Sequence, residues 1–396
     1  MDGLFNTPPE QNEGQTGVET TGEDDVLSGT VKKTRVTMDA SYRFRAGISP
    51  GWTEAIWYDY TNQKSRYYYV LGTKMEALLS LDFQIMENLR VWNSFTFSIP
   101  SDSSIFTVNE FYFDYNLENF VFLRAGQYET GWGISPNFPY TNLPARIPGE
   151  VNTGRAYMAK IDFPIGIGGL QFLVMTRPGF MKDKNIPTLN EIAYGVKFNA
   201  AFPTVDIDMG MFYFKKMPLR FFSSLKTTLR NTELYAEALA STPYETMDDV
   251  RFAVSAGFVQ DFFGGKLTLN GEMFYNGEDT SWWYQANNEI DEEEEKALLQ
   301  DWNFAGSFII RPGVLGLRLF CQVMYSYKQE SAMIVPGISI KPGDLITTSL
   351  IANMVAGSRA GYYYRNNSDR DNRPFSISLL IHLGGSFRYT RLMDRN

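Results

Sequence analysis

The feature that most constrains this chain is a two-residue alternation of apolar and polar side chains that recurs, in unusually long runs, from residue 36 to residue 389. In the first run Val36, Met38, Ala40, Tyr42, Phe44, Ala46 and Ile48 share one parity, with Arg35, Thr37, Asp39, Ser41, Arg43 and Arg45 on the other. The second sets Tyr69, Leu71, Met75, Ala77, Leu79, Leu81, Phe83 and Ile85 against Lys74, Glu76, Ser80, Asp82 and Gln84. Side chains of a strand alternate between its two faces, so each run is a strand with one oily and one wet face. Strands of soluble sheets are typically about 5 to 6 residues long, and these runs far exceed that.

The same pattern gives about sixteen strands, centred near residues 42, 76, 94, 110, 124, 159, 173, 197, 210, 256, 271, 306, 321, 336, 351 and 381. Connections after even-numbered strands are tight and rich in turn formers, as at Glu87-Asn88, Pro203-Thr204, Pro312-Gly313 and Pro342-Gly343. Most connections after odd-numbered strands are long; those near 100–104 and 328–331 are short. Loops sorted by parity are the mark of a transmembrane antiparallel β-barrel, with short periplasmic turns and long extracellular loops. The expected fold class is therefore all-β, a transmembrane barrel of about sixteen strands, with fourteen or eighteen following if one strand pair is miscounted.

Composition removes the alternatives. No apolar run reaches the roughly 18 residues a membrane-crossing helix needs, while aromatics make up 15% of a chain whose mean hydropathy is only -0.25. A barrel reconciles the two, because only alternate residues meet lipid. The net charge of -9 argues against a nucleic-acid partner. Residues 1–30 hold seven acids and no base and read as a disordered, acidic periplasmic segment preceding a single barrel over 31–396. The start at Met1-Asp2-Gly3 has neither a basic nor an apolar export region, so export implies a signal already removed.

The last run sets Phe375, Ile377, Leu379, Ile381, Leu383, Phe387 and Tyr389 against Ser376, Ser378, His382 and Arg388. In this it resembles the bacterial porin-type outer-membrane barrels, whose closing strand is amphipathic with aromatics near its end; those families usually finish on an aromatic residue, whereas this chain continues to Asn396. Leu123-Arg124-Ala125-Gly126-Gln127 followed by Trp132-Gly133 is similar to a pairing found in several porin and exporter-like barrel families. The resemblance implies an outer-membrane location and an architecture, without a substrate.

In such a barrel, function sits in the lumen and the loops. The polar parity assigns Arg35, Asp39, Arg43, Arg45, Lys74, Glu76, Asp82, Arg90, Glu110, Asp114, Lys160, Asp162, Lys197, Asp206, Asp208, Arg251, Glu272 and Arg318 to the pore lining, with signs roughly balanced. Unpaired charges are costly in an oily interior, which favours a wet channel; the competing reading is that they pair across strands and only stiffen the wall. The loop over 130–154 follows the fifth strand and carries Trp132, Phe138, Tyr140 and Arg146. Sixteen-stranded general porins fold that loop inward, so these four residues form a candidate constriction, against a proline-stiffened external loop. Residues 219–240 have helical spacing and suggest a lid over the pore mouth. The acids of 291–295 lack the pattern of a calcium loop and read as a solvated face.

No catalytic, metal or cofactor site is expected. A serine nucleophile needs a histidine base, and the single His382 sits four positions from Ser378 on its strand. Lone Cys321 forms no internal disulfide. The expected function is an outer-membrane porin passing small hydrophilic solutes by passive diffusion, embedded in outer-membrane lipid; a homo-trimer would follow from the resemblance to general porins, and the sequence carries no interface signature of its own. One rival is a carrier of hydrophobic compounds, hinted at by Phe106, Val108, Trp92 and Phe212 on the inner parity; another is an adhesin using Trp282, Trp283, Tyr284 and Tyr362, Tyr363, Tyr364.

Overall fold

The computed structural model describes residues 33–52, 67–99, 105–146, 156–176, 189–215, 217–243, 247, 250–277, 301–343, 345–357 and 375–394. The acidic N-terminal segment, the 291–295 run and both aromatic loops assigned to adhesion lie outside these residues.

The described residues form one antiparallel sheet of eighteen strands that closes on itself, because β1 pairs with both β2 and β18. In chain order the strands are β1 (Lys33–Trp52), β2 (Tyr67–Met86), β3 (Leu89–Ile99), β4 (Phe106–Leu117), β5 (Val121–Tyr128), β6 (Ala156–Ile165), β7 (Gly168–Thr176), β8 (Ala193–Ala201), β9 (Val205–Phe214), β10 (Leu219–Leu229), β11 (Thr232–Thr242), β12 (Arg251–Phe262), β13 (Leu267–Asn276), β14 (Asp301–Ile310), β15 (Arg318–Ser326), β16 (Ser331–Gly343), β17 (Ile346–Gly357) and β18 (Phe375–Asp394). Closure leaves no unpaired edge, the condition for placing a sheet in lipid, where a bare N–H or C=O finds no water.

The apolar parity forms the outside. Phe111, Phe172, Met211, Phe304 and Leu350 stand exposed, while alternate residues such as Tyr112, Leu173, Phe212, Ala305 and Ser349 are buried. With no lipid around the chain, exposure marks the face that lipid would cover.

All sixteen expected centres fall inside strands, and the correction is one hairpin. Residues 219–240, read as a helical lid, are β10 and β11, which supply the seventeenth and eighteenth strands. The physical reason is that the alternation is blurred on both faces: apolar Phe222, Tyr235 and Leu239 stand among the inner polar residues Arg220, Ser224, Lys226 and Glu237, while Ser223, Ala236 and Ala238 dilute the outward row of Phe221, Leu225, Leu229 and Leu234. With the two-residue contrast weakened, the remaining leucine spacing mimics a helix.

A second correction comes from a register shift between β3 and β4, where Ser94 pairs with Glu110 but Phe95 pairs with Val108. The extra residue flips the end of β4. Phe106 therefore packs on outward Phe97 and Phe95, at 5.1 and 5.5 Å between rings, and with Val108 belongs to the lipid side rather than the lumen.

Candidate functional site

The site is the segment after β5. Residues 129–146 do not rise away from the barrel; they bend back and bond to inner-face side chains of strands from β7 round to β15. Gly133 makes the bend: its φ of +86° suits glycine, and a Cβ there would run into the Thr141 hydroxyl and press on Glu237. A short 3₁₀ turn, Leu143–Arg146, ends the described part of the loop.

Trp132 is the first anchor, with 2% of its surface exposed. Its indole stacks on Phe222 at 5.3 Å and meets the edge of Phe212 at 5.8 Å, and Nε1 donates to Gln171 at 2.8 Å. The seat exists because β8 has Gly195 there: a Cβ would meet the indole at once. Burying a side chain of this size contributes about 2–3 kcal/mol.

Two carboxylates hold the tip. Glu237 of β11 accepts the backbone N–H groups of Ile134 and of Ser135, the latter at 3.2 Å. Glu272 of β13 accepts the Ser135 hydroxyl, the Asn137 N–H at 3.1 Å, the Asn137 amide at 2.9 Å and the Tyr235 hydroxyl at 3.1 Å. Hydrogen bonds to charged groups are worth about 1.5–3 kcal/mol each, and a buried carboxylate without them would be expensive. Asn137 also accepts from Gln322 of β15 at 3.3 Å. The return limb is fixed by Phe138 stacked on Phe274 at 5.1 Å, Tyr140 against the same ring at 4.9 Å, and the Tyr140 hydroxyl donating to Asn276 at 2.8 Å. These residues join one buried apolar cluster that includes Tyr112, Tyr128, Met158, Leu173 and Leu239.

Of the four expected constriction residues, the structure brings Trp132, Phe138 and Tyr140 together on the inner wall. Arg146 ends the 3₁₀ turn, and its side chain lies outside the description, as do residues 147–154.

The expected pore-lining charges occupy the inner parity of their strands, largely as neighbouring pairs. Arg90 grips Asp82 through two hydrogen bonds of 2.7 and 3.0 Å and lies 5.4 Å from the Trp92 ring. Arg124 grips Asp114 in the same way, at 2.6 and 2.9 Å, over the ring of Tyr112 at 4.3 Å. Lys160 meets Asp162 at 3.0 Å, Lys197 meets Asp208 at 3.1 Å, and Asp39 meets Arg388 at 2.6 Å. Glu110 accepts from the Trp92 indole at 3.1 Å. By register Arg43 lies across from Glu76, Asp206 from Lys226, Arg251 from Ser241 and Arg318 from Ser339. For Arg35, Arg45 and Lys74 only the backbone is described, with Arg35 across from Gln84 and Arg45 across from Lys74.

Several of these charges keep contact with open space: Arg90 is 43% exposed and Arg124 33%, although both lie inside the closed wall. They border a cavity of about 590 Å³ near the short turns, together with Lys160, Asp114, Asp162 and Asn88. Among the described residues no group of side chains has the makings of a metal site.

Sequence reasoning missed Glu237, Tyr235 and Arg124. The first two lie in the unrecognised hairpin; Arg124 was noticed only as part of a motif, and its parity with Asp114 would have placed it inside.

No protein-family model matches this chain, and no curated protein does. Solved structures match at the level of fold. Pseudomonas aeruginosa OccK2 (OpdF), solved in complex with glucuronate, aligns with a TM-score of 0.56 at 10% identity over 88% of this chain and 98% of its own. Pseudomonas aeruginosa OccK3 (OpdO) aligns at 0.55 and 10% identity over 88% and 96%. Pseudomonas aeruginosa OpdK, solved with vanillate and described as an outer-membrane protein, aligns at 0.54 and 8% identity over 89% and 99%. The fold is that of a porin-type bacterial outer-membrane barrel.

Proposed function

We propose that this barrel is a passive outer-membrane channel for small hydrophilic solutes, narrowed by the segment 129–146. The observation that carries the reading is the pairing of an inward loop, held by Glu237 and Glu272, with inner-face ions that stay partly exposed. Glu237 and Glu272 are buried where the loop packs, whereas Arg90 and Arg124, beside the cavity near the short turns, stay a third or more exposed; hydrated ions away from the loop support a wet conduit on that side. The loop covers one side of the wall, so solutes would pass along the other, down their own gradient. Solved relatives in fold that hold small organic solutes, glucuronate and vanillate, agree with passage of molecules in this size range.

A hydrophobic carrier is the second reading, and the apolar cluster around Trp132 favours it. Those rings, however, are occupied with one another and with the loop, and Phe106 and Val108 no longer contribute to the lumen.

Planar-bilayer recording of the purified protein tests the choice. Ohmic single-channel steps in potassium chloride are expected; persistent silence would contradict the channel.

A further inference from the structure

We infer that Asp162, in the cavity near the short turns, is a positioning residue for the inward loop: it fixes the amide of Gln171, and that amide fixes Trp132. The inference deepens the channel reading and rests on it for what the loop does to the current.

The relay runs from the loop to the wall. Trp132 Nε1 donates to Gln171 Oε1 at 2.8 Å, Gln171 Nε2 donates to Asp162 Oδ1 at 2.7 Å, and Lys160 Nζ meets the other carboxylate oxygen at 3.0 Å. Asp162 on β6 lies directly across from Gln171 on β7, so the strand register itself brings the carboxylate to the amide.

An indole N–H only donates, whereas an amide accepts at one end and donates at the other. Gln171 therefore seats Trp132 only with its oxygen turned to the indole, and its cross-strand neighbours decide that orientation. On one side stands Asp162, whose carboxylate only accepts. On the other stands Lys197 of β8, which only donates and is engaged with Asp208 at 3.1 Å. The NH2 group of Gln171 turns to Asp162, and the oxygen is left for Trp132. Without the carboxylate the amide loses the partner that holds its NH2 group, and a flipped amide would set N–H against N–H.

Burial separates the two ends of the relay. Trp132 is 2% exposed in its seat, whereas the Asp162 side chain is 32% exposed and lines the cavity of about 590 Å³. A group open to the cavity thus sets one that is closed off from it. The loop is held from the short-turn end of the wall as well as by the carboxylates at its tip.

Asp162→Ala and Asp162→Asn separate positioning from charge. Both remove the negative charge, and only asparagine keeps an acceptor oxygen, with lone pairs for Gln171 and Lys160 alike. Protease cleavage of the loop in folded barrels is expected to quicken about five- to tenfold in Asp162→Ala, the factor a single hydrogen bond supplies. Unitary currents are expected to become noisier in the same variant, and Asp162→Asn is expected to return both readouts close to native. Equal cleavage in the two variants, whether at the native rate or above it, would overturn the inference. Because Asp162 acts through the amide, adding Asp162→Ala to Gln171→Leu is expected to change cleavage no further, and additive effects would count against the relay. Should Asp162→Ala fail to fold, Asp162→Ser, whose hydroxyl is too short to reach the amide, takes its place with the same expected and contrary outcomes. Silence of the native chain in bilayers would overturn the channel reading and the current readout with it, while the order of cleavage decides the positioning by itself.

Discussion

At the residue scale the account turns on Glu237. Its carboxylate satisfies two consecutive backbone N–H groups of the loop, Ile134 and Ser135, and truncation leaves both buried and unmet. Glu237→Ala is expected to weaken loop docking by about 3 kcal/mol, seen as larger, noisier unitary currents and faster proteolysis of the loop in intact barrels. Glu237→Gln keeps an acceptor oxygen and is expected to restore most of the quiet conductance; a quiet Glu237→Ala channel would show that the carboxylate does not position the loop. Trp132 carries a comparable share, and Gly195→Val, which fills its seat, is expected to reproduce the loosened loop without touching a charge. Trp132, Phe138 and Tyr140 could be singled out from their place after the fifth strand, but not their partners on the wall. Gly195 was not, because a glycine inside a strand run carries no pattern of its own; its meaning exists only once the indole is across from it.

At the scale of elements, the informative one is the β10–β11 hairpin. Alternation identified strands such as β1, with Thr37, Asp39, Ser41 and Arg43 on its inner side, and failed at β10 and β11, whose inner row mixes Phe222, Tyr235 and Leu239 with Arg220, Lys226 and Glu237. Phe222 and Leu239 face inward because Trp132 and its neighbours need an apolar floor. The same requirement that builds the site thus erased the signal for the strands that build it. Cysteine labelling separates hairpin from helical lid: in a Cys321→Ser background, outward Leu225→Cys is expected to react with a lipid-soluble maleimide and resist a water-soluble one. Rapid reaction with the water-soluble reagent would restore a lid above the membrane. The bulge that turns Phe106 and Val108 outward was equally silent in the sequence, since a one-residue insertion leaves each half of β4 alternating normally.

For the whole molecule, closure and loop placement are separate claims. Closure follows from register, since β1 pairs along β2 and β18 at once, and it was legible because eighteen strands of mostly alternating sequence have no other way to satisfy their edges in lipid. That the loop crosses from β5 to meet β15 follows from contacts between residues far apart in sequence, such as Asn137 with Gln322, which no local pattern encodes. The central claim is that this crossing sets the width of a wet lumen. Replacing residues 131–144 by a short glycine-serine linker and recording unitary conductance beside the native chain tests it most directly. The account predicts ohmic steps from both, several-fold larger without the loop; equal steps would contradict it.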